Sequence, residues 1–192
     1  MDLANNVAAV VTERDANWWS LRAQSLQCNE LEKGYFNSGV LLINTLAWAQ
    51  ESVSAKVMSM FADNAIVSRL TYMDQDILNL ILSGKVKFID AKYNTQFSLN
   101  YELKKSFVCP INDETVLIHY VGPTKPWHYW AGYPSAQPFI KAKEASPWKN
   151  EPLMRPVNSN YARYCAKHNF KQNKPINGIM NYIYYFDLKI IK

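Results

Sequence analysis

Val40-Leu41-Leu42-Ile43-Asn44-Thr45 is an apolar run that stops at a helix-capping pair. Four consecutive apolar side chains without polar alternation predict a strand covered on both faces, the end of a strand over Tyr35 to Ile43. Asn44-Thr45 then supplies an N-cap for a helix over about Leu46 to Phe61. In that helix Trp48, Val53, Val57 and Met60 recur at helical spacing and are candidate core residues. A strand that hands directly to a helix is the repeating unit of a layered α/β fold. The same alternation runs along the chain. Asn6 to Thr12 reads as a short strand and Arg14 to Leu26 as a helix carrying Trp18 and Trp19. Met73-Asp74 opens a helix over Gln75 to Leu82, with Asp74 a candidate N-cap, and Ser83-Gly84 closes it. Val86 to Ile89 is a short strand, Tyr93 to Tyr101 a loop, and Thr115 to Tyr120 a buried strand. No internal repeat or low-complexity segment interrupts the pattern.

The chain has 192 residues, of which 48% are hydrophobic. That suits one sizeable globular domain or one and a half small ones. No apolar run is long enough to span a bilayer, and Met1-Asp2-Leu3-Ala4-Asn5-Asn6 lacks the basic start of a signal peptide. A cytoplasmic location is the expectation. Cys28, Cys109 and Cys165 have neither metal-ligand spacing nor the count of a disulfide framework, so buried or idle thiols are expected. The net charge of +5 is uneven. Residues 141–192 hold ten Lys/Arg against three Asp/Glu, whereas residues 1–140 hold eleven against thirteen. A basic tail interleaved with aromatics suits an anionic surface, a membrane leaflet or a nucleic acid; a solvated helical face fits equally.

A second stretch carries chemistry: His119-Tyr120-Val121-Gly122-Pro123-Thr124-Lys125-Pro126-Trp127. A His at a strand end, a Gly-Pro turn and a Lys aim an imidazole and an ammonium at one small region. The first is a metal ligand and the second a partner for phosphate, which together suit a metal-bound diphosphate. A satisfied His beside a solvated Lys is the alternative. Beyond it, Trp127, His128, Tyr129 and Trp130 either stack on sugar faces or pack C-terminal helices onto the sheet. His168 has no partner at ligand spacing and reads as a surface residue. Asn94 and Gln96 sit in a loop that would line an acceptor site.

His-x-x-Gly-x-x-Lys-Pro-Trp over residues 119–127 resembles a signature of the family 8 glycosyltransferases, retaining enzymes that use nucleotide-sugar donors. Tyr35 to Asn44 and Asp74-Gln75-Asp76-Ile77-Leu78-Asn79 resemble two further signatures, and all three stand in the family's order. The resemblance is closest to the lipopolysaccharide core glucosyl- and galactosyltransferases. It implies a GT-A type nucleotide-sugar transferase fold, here a C-terminal half over residues 1–134 with a basic helical extension over 135–192. It implies His119 as ligand to Mg²⁺ or Mn²⁺ and Lys125 on the diphosphate, with the Gly122 backbone lying against it. It further implies Asn37, Ser38 and Gly39 on the donor sugar, and Asp74 and Gln75 at the reacting carbon. Asn37-Ser38-Gly39 read without the family is a plain turn or bulge. The implied partners are a UDP-hexose donor and a lipopolysaccharide core acceptor at the anionic inner face of the inner membrane. Residues from Ser159 onward, including Arg163, Lys167, Lys171, Lys174, Lys189 and Lys192, are the expected membrane contact. No nucleic-acid-binding motif accompanies the charge, so nucleic acid is not an expected partner. The family's Asp-x-Asp metal pair has no counterpart in the right context, since Asp74-Gln75-Asp76 belongs to another motif. The chain therefore reads as the C-terminal portion of a longer enzyme.

Overall fold

The computed structural model describes residues 1–190, so Lys192 lies outside the described residues. The chain gathers into two compact units, Met1–Asn94 and Thr95–Lys192, and the division expected at 134/135 falls within the second.

In the first unit β1 (Ala8–Val10) is the centre of a three-stranded sheet. β2 (Leu42–Ile43) pairs antiparallel to it, with Ala8 opposite Ile43. β3 (Val86–Phe88) pairs parallel on the other side, with Ala8 opposite Val86. All three residues of β1 are buried, and the core gathers Val7, Ala8, Val10, Phe36, Val53 and Leu82. α1 (Ala16–Leu26) starts where Asp15 accepts a hydrogen bond from the Trp18 amide at 3.0 Å. It buries Ala23 and Leu26 against Leu31 and Tyr35.

The strand expected over Tyr35 to Ile43 is shorter and differently placed. Tyr35 and Phe36 are buried, and Phe36 forms an isolated bridge with Thr12, but the chain then turns at Asn37-Ser38-Gly39. Only Leu42–Ile43 joins the sheet, at its edge, and these side chains are 48% and 37% exposed. The apolar run is thus not covered on both faces among the described residues. Asn44 caps as expected, accepting from the Ala47 amide at 3.1 Å. The helix it opens is broken in two, α2 (Thr45–Gln50) and α3 (Val53–Phe61), because Ser52 takes a left-handed conformation with φ +52°. Val53 is fully buried, and Trp48 and Val57 pack against the same cluster. A short α4 (Asn64–Val67) follows, capped by Asp63. α5 (Met73–Leu82) ends before Gly84, whose φ is +73°. Asp74 lies inside the first turn of α5 and does not cap it.

In the second unit β4 (Thr95–Phe97) and β5 (Ile118–Tyr120) pair in parallel, Gln96 opposite His119. β4 lies in the segment expected to be a loop. β5 is half the length expected, and Val116 and Leu117 before it are 63% and 38% exposed, although the Leu117 carbonyl still accepts from the Thr95 amide at 2.9 Å. α6 (Gln137–Glu144), α7 (Ser159–Lys171) and α8 (Pro175–Ile190) follow. α7 is capped by Asn158, which accepts from the Tyr161 amide at 2.9 Å. α7 and α8 meet closely at Gly178, where an added Cβ would come within 2.6 Å of the Phe170 ring. α7 buries Ala162, Cys165, Ala166, His168 and Asn169. α8 buries Gly178 alone among its described residues and exposes Ile176, Ile179, Met180, Ile183, Phe186 and Ile190.

Candidate functional site

In the first unit the structure brings the Asn37-Ser38-Gly39 turn and the start of α5 together. Gln75 Oε1 accepts from the Ser38 amide at 3.1 Å, and Ser38 Oγ donates to Asp74 Oδ2 at 3.2 Å. Asn37 is buried. Its amide donates to Glu13 Oε2 at 2.6 Å, and its Oδ1 accepts from the Gly39 amide at 3.0 Å and from Asn94 Nδ2 at 3.2 Å. The turn is therefore held from both sides, while Asp74 stays at the surface.

What fixes this arrangement is a residue not picked out in the sequence. Asp76 is fully buried and accepts four hydrogen bonds, from Tyr35 Oη (2.6 Å), Arg22 Nη2 (2.7 Å) and the amides of Thr71 (2.7 Å) and Tyr72 (2.8 Å). Burial pushes its carboxyl pKa up, but these donors, led by Tyr35, outweigh it and hold the carboxyl below the usual range. Burial and the adjacent carboxylate push the Tyr35 phenol well above its ordinary value. One helical turn on, Asn79 pairs with the backbone of Phe36 through both its oxygen and its amide and also donates to the Gln75 carbonyl. The signal for this was the spacing: Asp76 and Asn79 are three apart and share one face of α5 with buried Ile77 nearby.

In the second unit His119 lies half-buried on β5, and the chain leaves that strand through Gly122. Gly122 has φ +80°, a conformation that glycine adopts without strain, and a Cβ there would sit 2.8 Å from Ser98 Oγ. Lys125 folds back so that Nζ donates to the Tyr120 carbonyl at 2.6 Å, and burial lowers its pKa. Its amide donates to His128 Nδ1 at 3.2 Å. His128 is buried, with ring centres 4.2 Å from Trp130 and 4.9 Å from Tyr161. Burial and the Lys125 charge lower its pKa to about 4. These contacts favour the packing role for His128 and Trp130, while Trp127 and Tyr129 stay exposed. His168, expected at the surface, is fully buried, and burial lowers its pKa to about 4. Lone helical histidines carry no sequence signal for this, because its partners Asn100, Thr124 and Tyr133 are distant in the chain.

The divalent metal implied by the resemblance needs several hard oxygen donors. No group of three or more His, Cys, Asp or Glu side chains able to hold an ion occurs among the described residues. His119 alone, an imidazole, does not make such a site, so the donors present do not fit a complete metal centre.

Residues 1–131 match the family described as glycosyl transferase family 8, and residues 133–189 match its C-terminal family. The chain belongs to glycosyl transferase family 8. Among its relatives, the lipopolysaccharide glucosyltransferase WaaO of Escherichia coli K12 is 54% identical over 187 residues, which is 97% of this chain and 55% of that protein. The lipopolysaccharide 1,3-galactosyltransferase of Salmonella typhimurium LT2 is 49% identical, over 98% of this chain and 56% of that one. This family 8 chain thus spans about half the length of the curated relatives it matches. Among solved structures, the galactosyltransferase LgtC in complex with donor and acceptor sugar analogues superimposes with a TM-score of 0.57 at 26% identity, covering 77% of this chain and 54% of that one. An active-site mutant of LgtC gives 0.59 at 24% identity, over 80% and 58%. The fold is the mixed α/β, GT-A type expected for the family.

Proposed function

We propose that this chain forms part of a retaining hexosyltransferase that moves glucose or galactose from a UDP-sugar to the lipopolysaccharide core oligosaccharide. The observation that carries this reading is the turn after β5. There Gly122 is exposed with φ +80°, and Lys125 holds a half-buried ammonium three residues on. A fixed cation in a partly desolvated turn stabilises a departing diphosphate more than a solvated one would. The identities to lipopolysaccharide glucosyl- and galactosyltransferases support the substrate class. In this reading Gly122 and Lys125 hold the diphosphate, and His119 contributes one ligand to a Mg²⁺ or Mn²⁺ ion. Asn37, Ser38 and Gly39 hold the donor sugar with Asp74. Gln75 stabilises the positive charge that develops on the sugar ring while the acceptor enters from the leaving-group face; a neutral amide oxygen is a poor nucleophile. Residues 1–134 supply the donor-side groups and residues 135–192 a basic extension. That extension holds the protein at the cytoplasmic face of the inner membrane.

A second reading is favoured by the incomplete metal donor set: the chain alone keeps acceptor and membrane surfaces without turning over donor. One experiment separates the two. The matching segment of the Escherichia coli glucosyltransferase is replaced by this chain, and transfer from UDP-glucose and UDP-galactose is followed. The expected result is transfer by the chimera and none by the chain alone, with Lys125→Ala costing on the order of a hundredfold in kcat. A folded chimera that transfers neither sugar, or one indifferent to Lys125→Ala, overturns the transferase reading.

A further inference from the structure

Thr124 is fully buried although Gly122 and Trp127 on either side are exposed. Its hydroxyl lies 3.1 Å from Nε2 of His168, on the buried face of α7. The same nitrogen lies 3.1 Å from Asn100 Oδ1, and Nδ1 lies 2.8 Å from the Tyr133 hydroxyl. The amide oxygen of Asn100 only accepts, so the proton is assigned to Nε2, and Nδ1 then accepts from Tyr133. One neutral imidazole with both nitrogens engaged thus joins four separate segments. The turn is held at one further point, where the Lys125 amide donates to the buried His128 ring. Neither support uses the Lys125 side chain. Packing alone does not call for this set, because an apolar side chain fills such a space without needing partners. A buried polar cluster is costly unless every member is satisfied, and when satisfied it fixes one arrangement.

We propose that His168 is a positioning residue: through Thr124 it holds the Gly122–Lys125 turn in the shape that presents the glycine backbone and the lysine ammonium to a nucleotide diphosphate. This rests on the donor reading of that turn given above. It makes the C-terminal helical segment part of the donor machinery as well as a membrane contact. His168 itself touches no substrate in this role.

The test uses the full chain and three variants, Thr124→Val, His168→Ala and His168→Gln. Amide hydrogen exchange is read at Lys125 and along α7, and UDP affinity in Mn²⁺ is read by calorimetry, with and without Lys125→Ala. In Thr124→Val and His168→Ala, exchange at Lys125 is expected to quicken about tenfold, the effect of losing one buried hydrogen bond. In Thr124→Val, exchange within α7 stays as in the wild type. His168→Gln places an N–H near the position of Nε2 and is expected to recover most of the protection. UDP affinity should fall by a similar factor in Thr124→Val, and by much less when Lys125 is already Ala. Thr124→Val is near-isosteric and keeps the test decisive if His168→Ala does not fold. Wild-type exchange at Lys125 in Thr124→Val overturns the proposal, as does a glutamine variant no tighter than the alanine one. If the turn loosens as expected but the wild-type chain takes up no UDP, donor binding by this chain alone fails and the clamp stands. If UDP binds and Lys125→Ala weakens it, yet Thr124→Val changes nothing, the clamp fails and the donor reading stands.

Discussion

Arg22 Nη2 and Asp76 Oδ2 lie 2.7 Å apart, an ion pair that ties α1 to the first turn of α5 with both side chains almost out of water. The carboxylate also receives Tyr35 and two backbone amides, so its charge is fully surrounded by donors. This pair sets the start of α5, and with it the place of Asp74 and Gln75 against the Asn37-Ser38-Gly39 turn.

Removing one partner of a buried pair leaves the other charge uncompensated, which costs about 3–5 kcal/mol. Arg22→Ala is therefore expected to lower unfolding free energy by that amount in urea denaturation. Asp76→Asn should cost at least as much, since its amide would face donors. A loss under about 1 kcal/mol for Arg22→Ala would show that the remaining three donors suffice.

The buried histidines set a pH dependence. His128 and His168 stay neutral in the folded chain down to about pH 4, whereas an unfolded chain protonates them near pH 6.5. Between those values the unfolded state binds more protons, so stability falls as pH drops from about 6.5 and levels off for these groups below about 4. The slope approaches about 1.4 kcal/mol per pH unit for each histidine. Melting curves between about pH 5.5 and 7.5 should show the decline, and His168→Gln should remove part of it. A flat profile in that window contradicts the neutral, buried assignment.

Gly122→Ala is expected to destabilise on two separable grounds. The positive φ costs a side-chain-bearing residue about 1–2 kcal/mol. The new Cβ also meets Ser98 Oγ at 2.8 Å. Adding Ser98→Gly should relieve the contact and leave the backbone cost, so the double variant recovers only part of the loss. Recovery to wild-type melting temperature would mean that the backbone conformation carries no strain.

α8 shows solvent an apolar series, Ile176, Ile179, Met180, Ile183, Phe186 and Ile190, and ends near Lys189. An amphipathic helix of this kind partitions into the headgroup boundary. Sedimentation with anionic vesicles should carry the chain down, less so with added salt, and replacing Ile179 and Ile183 by Glu should abolish it. Equal sedimentation of that variant would assign membrane contact to another surface. No helix among the described residues is long and apolar enough to cross a membrane.

The α/β class and the helices α1 and α5 were legible because their patterns are local. Asn44 announces the helix that follows it, and the signature stretches lie together along the chain. What was not legible depended on partners far apart in sequence. Leu42 and Ile43 read as a doubly covered strand, but among the described residues they form a sheet edge beside β1 and their side chains are exposed. Ser52 gives no hint of a left-handed break. β4 was hidden because three residues make too short a pattern, and it exists through its pairing with β5. Among the site residues, the resemblance assigns Ser38, Asp74 and Gln75 to one donor sugar, and the structure brings Ser38 into contact with both of the others. The burial of Asp76 and His168 was not legible, since each is defined by partners from three other places in the chain.

The parallel pairings have a consequence for how the molecule is made. β4 and β5 run the same way, so residues 98–117 must cross over before the two strands can meet, and β1 waits for β3 across residues 11–85. Closing such long loops precedes any reward from the contacts they allow, and chains dominated by distant pairings fold slowly for that reason. The α7–α8 hairpin, joined by residues 172–174, has no such delay. On refolding from denaturant the α7–α8 hairpin is therefore expected to form early and the β5 turn with Lys125 late, with the slow phase read at β4 and β5.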